Sequence, residues 1–217
     1  MPRPTWDNLD ERRREKILHA AMAEFGRRGY SGGSLNVIAR EAGVAKGSLF
    51  QYFEDKFDFF AHVTEQASLS VYAAMTPYLD GQRSAASFHE HFIALVDAWM
   101  AFMAEHPLER GLTAATNLEL DPQVRAVVRA PVHRLYAQAL RPLITTAVDD
   151  GELEPDTDVD AVIATLVLLL PHLAIAPFEP GLDATLELYG VEEATRRAHA
   201  RRLIDIVVRP AAVREVS

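Results

Sequence analysis

Apolar residues recur along this chain three and four positions apart, and no stretch alternates apolar and polar residues with β-branched enrichment. The first helix predicted by this spacing runs from about Asp10 to Arg28. It has Ile17, Ala21 and Phe25 on one face and Leu18 and Met22 on the neighbouring one. Gly29 takes the left-handed position that ends it, followed by apolar Tyr30. Ser31 to Ser34 form a loop, and a short helix then reaches Glu41. Gly43 breaks it, and a second short helix covers Lys46 to Phe53. Asp55 is an N-cap with Asp58 three residues on, opening a helix that reaches Leu79.

Asp80 to Arg83 reads as a break. Ala85 to Glu105 is helical and ends near Pro107, and a shorter helix runs from there to about Leu120. Pro122 suits the first position of a helix that runs toward Asp149, with Pro131 and Pro142 as kinks. Gly151 to Thr157 is a turn, Asp158 caps an apolar helix, Pro177 to Gly190 is loop, and Val191 to Arg209 is the last helix. The fold class this predicts is all-α, with about nine helices and no sheet.

The most apolar run, Ala161 to Phe178, is 18 residues long. That is the short limit for a membrane span. Pro171 and His172 interrupt it, and no Lys or Arg flanks it closely. A buried or interface helix fits better. Leu166, Val167, Leu169, Leu170 and Leu173, with Ile204, Val207 and Val208, are expected to form a four-helix interface across a two-fold axis.

Charge divides the chain. The 217 residues carry a net charge of −9, which taken whole argues against nucleic acid. Residues 1–60, however, hold ten Lys+Arg against nine Asp+Glu, and all three lysines, Lys16, Lys46 and Lys56, lie there. The remainder is strongly acidic, which points to two functional halves. There is no cysteine, hence no disulfide, zinc–thiolate site, Fe–S cluster or cysteine nucleophile. The N-terminus lacks the apolar core of a secretory signal.

The chemistry concentrates in Ser34 to Tyr52. Two short helices joined by a tight turn suit either DNA reading or plain packing. Ala39 is small where the second helix must cross, Gly43 sits where the backbone must turn left-handed, and Val44 and Leu49 pack the second helix back. That helix then projects Lys46, Gly47, Ser48, Phe50, Gln51 and Tyr52, a set suited to phosphates and base edges. Gly47 costs about 1 kcal/mol against alanine inside a helix, and packing alone gives no reason for it.

From about Arg13 to Val63 the sequence resembles the tetracycline-repressor (TetR) family of bacterial regulators, through ILHAAMAEFGRRGY and SLNVIAREAGVAKGSLFQYFEDKFDFF. The resemblance implies a homodimeric all-α repressor, with a DNA-binding domain over residues 1–55 and an effector-binding and dimerisation domain over 56–217. By position, Lys46, Gly47 and Ser48 match residues that face the major groove, and Gln51 one that touches bases. Tyr52 and Lys56 match phosphate contacts, Ser34 caps the supporting helix, and Asn36 falls where a base is sometimes read. Phe50 replaces a more usual tyrosine, leaving it either to touch a thymine methyl or to pack. Ala45 replaces a frequent Ser or Thr, so the recognition helix lacks a side-chain N-cap.

Other constellations are weaker. His89, Glu90 and His91 invite a metal, but positions two apart on a helix do not share a face, so they read as solvated polar residues. Asp156, Asp158 and Asp160 lack the glycine and closing glutamate of a calcium loop. No nucleophile has a base near it, so an enzyme is not expected, nor a cofactor. From Phe88 to Met103 a stripe of Phe92, Val96 and Met100, widened by Trp99 and Met103, reads as core or as ligand wall. Asp97, almost alone as a charge within this run, is either a surface charge or a counter-charge for an amine. The expected partners are thus double-stranded operator DNA, a small lipophilic effector walled by this stripe and the helix from Lys56, and a second copy of the chain. The place expected is the cytoplasm.

Overall fold

A computed structural model describes residues 2–79 and 87–208. Among them are ten helices and no strand. These are α1 (Pro4–Asp7), α2 (Glu11–Gly32), α3 (Leu35–Glu41), α4 (Lys46–Tyr52) and α5 (Lys56–Leu79), then α6 (Phe88–Glu105), α7 (Pro107–Asn117), α8 (Pro122–Asp149), α9 (Val159–Ile175) and α10 (Glu193–Val207). The all-α expectation holds. The additional helix is α1, four residues too short to show a period, with only Trp6 buried.

Local rules account for most boundaries. Asp10, Ser34 and Asp158 each accept a hydrogen bond from the backbone N–H three residues on, capping α2, α3 and α9. Asp55 accepts from the Asp58 N–H at 2.8 Å, and Asp58 reaches back to the Glu54 N–H at 3.1 Å. Gly29 does adopt positive φ, 67°, yet the chain turns helical again through Gly32, so the expected end at Arg28 is a kink. The break at Asp80 to Arg83, the start at Ala85 and the end at Arg209 lie outside the described residues.

The chain forms two compact units that interleave in sequence. One is Met1–Ala73 with Met103–Val132; the other is Ala74–Phe102 with His133–Ser217. These units are defined by packing. The expected cut after residue 55 is drawn from a motif and does not coincide with either unit's boundaries.

In the first unit Ile17, Ala21 and Phe25 of α2 meet Ile38 and Ala39 of α3, Leu49 of α4, and Phe59, Phe60 and Val63 of α5. Phe25 stands edge-on to Phe59 and Phe60, with ring centroids at 5.9 and 5.0 Å. Each such ring, fully buried, contributes about 1.5–3 kcal/mol. Helices α2 and α7 cross where Gly26 faces Gly111, closely enough that main chain meets main chain.

In the second unit Ile163, Leu166, Val167, Leu170 and Leu173 of α9, Ile204 of α10 and Val208 just beyond it are buried within the chain. This corrects the expected interface in part. Leu166, Val167, Leu170, Leu173, Ile204 and Val208 are already covered by their own chain, and Leu169 and Val207 are half-buried. The large apolar side chains left outward on α9 and α10 are Leu168 and Ile206, 67% and 64% exposed. Among the described residues no helix is long and apolar enough to cross a membrane.

Candidate nucleic-acid interface

The turn between α3 and α4 is built as its residues require. Gly43 has φ 68°, and the Val44 N–H returns to the Ala39 carbonyl at 2.9 Å. Leu49 and Tyr52 bury one face of α4. The opposite face carries Lys46, Gly47, Phe50 and Gln51, all exposed, with Ser48 half-buried at its edge. Asn36 is exposed on α3, and Ser34 caps that helix. Ala45 caps α4 without a side-chain hydrogen bond. Among the described residues, a Cβ on Gly47 would meet no atom within 4 Å. No contact among the described residues demands a glycine there.

Two candidates are placed differently from the rest. Tyr52 is only 6% exposed, and its ring lies 5.8 Å from that of Trp6, so most of it serves packing. Lys56 donates to the Ser31 carbonyl at 3.2 Å and stands 4.8 Å from the centre of the Tyr30 ring. Burial lowers its ammonium pKa, against the upward pull of Glu119 and Glu24. Lys56 therefore ties the start of α5 to the end of α2.

Two buried carboxylates, which the sequence pattern did not single out, support this surface. Glu24 accepts from the Ser34 N–H at 3.1 Å and from Arg27 at 3.2 Å, fixing the entry to α3. Glu119, between α7 and α8, accepts from the Tyr30 N–H at 3.3 Å and the Asp121 N–H at 2.9 Å. Acidic residues on helices and loops carry no sequence signal that distinguishes such clamps from solvated charges.

The residues expected to wall a ligand are mostly packed. Phe92, Val96 and Trp99 are buried in the second unit, where Met100 and Asp97 are half-buried; Met103 is buried in the first. The Trp99 indole donates to the Leu170 carbonyl at 3.2 Å and meets Tyr136 edge-on. Burial pushes the Tyr136 phenol pKa up. Asp97 is pushed up by burial and pulled down by Arg197 and Arg201, so α10 supplies positive charge to it. The His89–Glu90–His91 run is solvated only in part: Glu90 is exposed as expected, whereas His89 is half-buried and His91 is buried. His89 pairs with Asp205 at 2.7 Å and Glu90 with Arg201 at 2.6 Å, while His91 is buried with Nε2 2.8 Å from the Tyr78 carbonyl. Among the described residues no group of three or more could hold a metal ion.

Comparison with known proteins agrees with this geometry. Residues 17–63 match the family described as bacterial regulatory proteins, tetR family, and residues 84–189 match the tetracyclin repressor-like C-terminal domain. The HTH-type transcriptional regulator SrpR of Pseudomonas putida is 31% identical over 167 residues, 75% of this chain and 74% of that protein. The repressor AcnR of Corynebacterium glutamicum is 26% identical over 196 residues, 85% and 93% of the two chains. The transcriptional regulator FadR of Bacillus subtilis, solved with stearoyl-CoA, shares the fold at a TM-score of 0.68 and 17% identity, covering 90% of this chain and 97% of that one. A helix-turn-helix with its second helix turned outward, two matching domains and a relative aligned over three quarters of its length together establish that the chain belongs to the TetR family of transcriptional regulators.

Proposed function

We propose that this protein is a dimeric repressor that binds a palindromic operator and is released from it by a small lipophilic effector. The observation that carries the DNA reading is the outward face of α4. Lys46 and Gln51 offer charge-assisted and amide hydrogen bonds, Phe50 an apolar contact, and Gly47 leaves room for close approach from outside. In a dimer the two α4 helices would enter successive major grooves about 34–36 Å apart. Asn36 and Ser48 would flank them. Lys56 and Tyr52, engaged within the protein, would contribute mainly by holding the surface in place.

The test is selection of duplexes from a random-sequence library by the wild-type chain, followed by titration of Lys46→Ala. The variant should bind the selected duplex more weakly, with the salt dependence reduced by about one unit of slope. Unchanged affinity at low salt would refute the assignment of Lys46. For assembly, Leu168→Arg or Ile206→Arg should give monomers by light scattering that bind a half-site poorly. A wild-type mass of one chain at micromolar concentration would refute the dimer.

The effector reading rests on the apolar packing around α6 in the second unit and on the fold shared with an acyl-CoA-bound regulator. Release requires the effector to prefer the state that does not fit DNA. Helix α5, which begins at the DNA-binding end and continues in sequence into the second unit, is the covalent route for that preference. Stearoyl-CoA, stearate and a lipophilic amine should be titrated against the preformed complex. Release by the amine alone, lost in Asp97→Asn, would select the counter-charge role. Release by stearate or stearoyl-CoA would leave Asp97 to its arginine neighbours. The second reading is a DNA-binding regulator without an effector, favoured by the close packing of Phe92, Val96 and Trp99. Failure of all three ligands to release DNA would support it. Either activity places the protein in the cytoplasm, with its DNA.

A further inference from the structure

We infer that the N-terminal segment Arg3–Trp6 positions the recognition helix, capping α4 at its C-terminal end and thereby setting how Lys46, Gly47, Phe50 and Gln51 face DNA. This deepens the operator-binding reading and rests on it. An α-helix leaves its last four carbonyls without intrahelical donors. In α4 these belong to Leu49, Phe50, Gln51 and Tyr52. The first accepts from the Phe53 N–H at 2.9 Å. The other three are all met from the N-terminus of the chain. The Arg3 guanidinium donates to the Phe50 carbonyl at 3.0 Å, the Thr5 hydroxyl to that of Gln51 at 2.6 Å, and the Arg3 backbone N–H to that of Tyr52 at 2.7 Å. A segment 46 residues or more away in sequence thus completes the helix end.

The segment is itself held. Trp6 is 4% exposed, with its ring centroid 4.9 Å from Phe53, 5.8 Å from Tyr52 and 5.5 Å from His62. The Arg3 charge also lies at the negative end of the α4 dipole.

Helix α4 needs such support. It has seven residues, no side-chain N-cap at Ala45 and a glycine in its first turn. Isolated helices of this length do not persist in water. Packing holds it through two buried side chains, Leu49 and Tyr52. Two neighbours on one face leave the helix able to rock about that face. Three hydrogen bonds to successive carbonyls at one end remove that freedom.

The decisive variant is Thr5→Val, which deletes the hydroxyl at constant shape and charge, with Thr5→Ser as its conservative partner. Two readouts apply to the full chain: amide exchange within α4 without DNA, and affinity for a duplex selected by the wild-type chain from a random library. Thr5→Val should weaken binding about three- to ten-fold, the worth of one hydrogen bond, and speed exchange within α4. The salt dependence of binding should stay unchanged, because no phosphate contact is lost. Thr5→Ser should restore both. Wild-type affinity and wild-type α4 exchange in Thr5→Val would overturn the inference. It would also fall if Arg3→Ala alone weakened binding, lowered the salt slope and left α4 exchange unchanged, since the segment would then touch DNA directly. If the wild-type chain enriches no duplex, the operator reading fails, and the exchange measurement still decides whether the segment caps α4.

Discussion

Alanine at Gly26 should destabilise the first unit, while alanine at its partner Gly111 should not. Helices α2 and α7 touch through these glycines. An ideal Cβ on Gly26 would lie 3.1 Å from the Gly111 carbonyl carbon, 3.3 Å from its Cα and 3.3 Å from the Leu112 nitrogen. All three atoms are main chain of α7. A flexible side chain can rotate away from such a contact, but a hydrogen-bonded backbone moves only with its helix. Alanine would gain about 1 kcal/mol in intrinsic helix stability over glycine. Forcing two packed helices apart costs about 1–3 kcal/mol. The net is a loss of about 0–2 kcal/mol. On Gly111 the same construction gives 3.4 Å to the Gly26 Cα and 3.6 Å to its carbonyl carbon and oxygen, which are ordinary contacts. There the helix gain should survive, at about 0.4–1 kcal/mol of stabilisation. Urea unfolding monitored by far-UV circular dichroism measures both as midpoint shifts at constant slope. The double variant should be less stable than the sum of the two, because both methyl groups enter one gap. A Gly26→Ala protein at least as stable as Gly111→Ala would refute the reasoning, since it would mean that α7 yields freely.

Three further outcomes concern the same unit. His62 is buried against Trp6 and Phe53 with neither ring nitrogen hydrogen-bonded, and burial lowers its pKa against the pull of Glu65, Asp58 and Asp7. The unfolded chain therefore takes up the proton first. Its contribution to stability should be full above about pH 6.5 and decline as pH falls below it, and His62→Leu should remove that decline in pH-dependent unfolding. Ala45→Ser supplies the N-cap that α4 lacks and should add about 1 kcal/mol to stability by thermal unfolding, with slower amide exchange at the start of that helix. Glu119→Ala leaves the Tyr30 and Asp121 N–H groups without their acceptor and should cost about 1–3 kcal/mol in urea unfolding, whereas Glu119→Gln, which keeps a carbonyl oxygen, should cost less.

Local information was enough for the helices, because their boundaries depend on neighbours within a turn. Ser34, Asp55 and Asp158 cap the helices α3, α5 and α9, Gly43 turns the chain, and the residues that pack α4 inward are the apolar ones at helical spacing. The exposed face of α4 was legible for the same reason: once one face of a short helix is committed to the core, the other is fixed. What failed were statements about partners distant in sequence. Leu166, Leu170 and Ile204 are apolar enough for a dimer interface, yet whether such a residue is covered by its own chain or by another depends on which helix arrives beside it. His91 and His89 sit two residues apart in one helix, but one is buried and the other pairs with α10. Lys56 reads as a free cation until Tyr30 and Ser31 are brought against it. Trp6, ahead of any detectable period, becomes a core side chain only because Tyr52, Phe53 and His62 gather around it, and the carbonyls that Arg3 and Thr5 cap exist as acceptors only after α4 has formed. Periodicity reports which face of an element seeks cover; the tertiary arrangement alone decides what covers it.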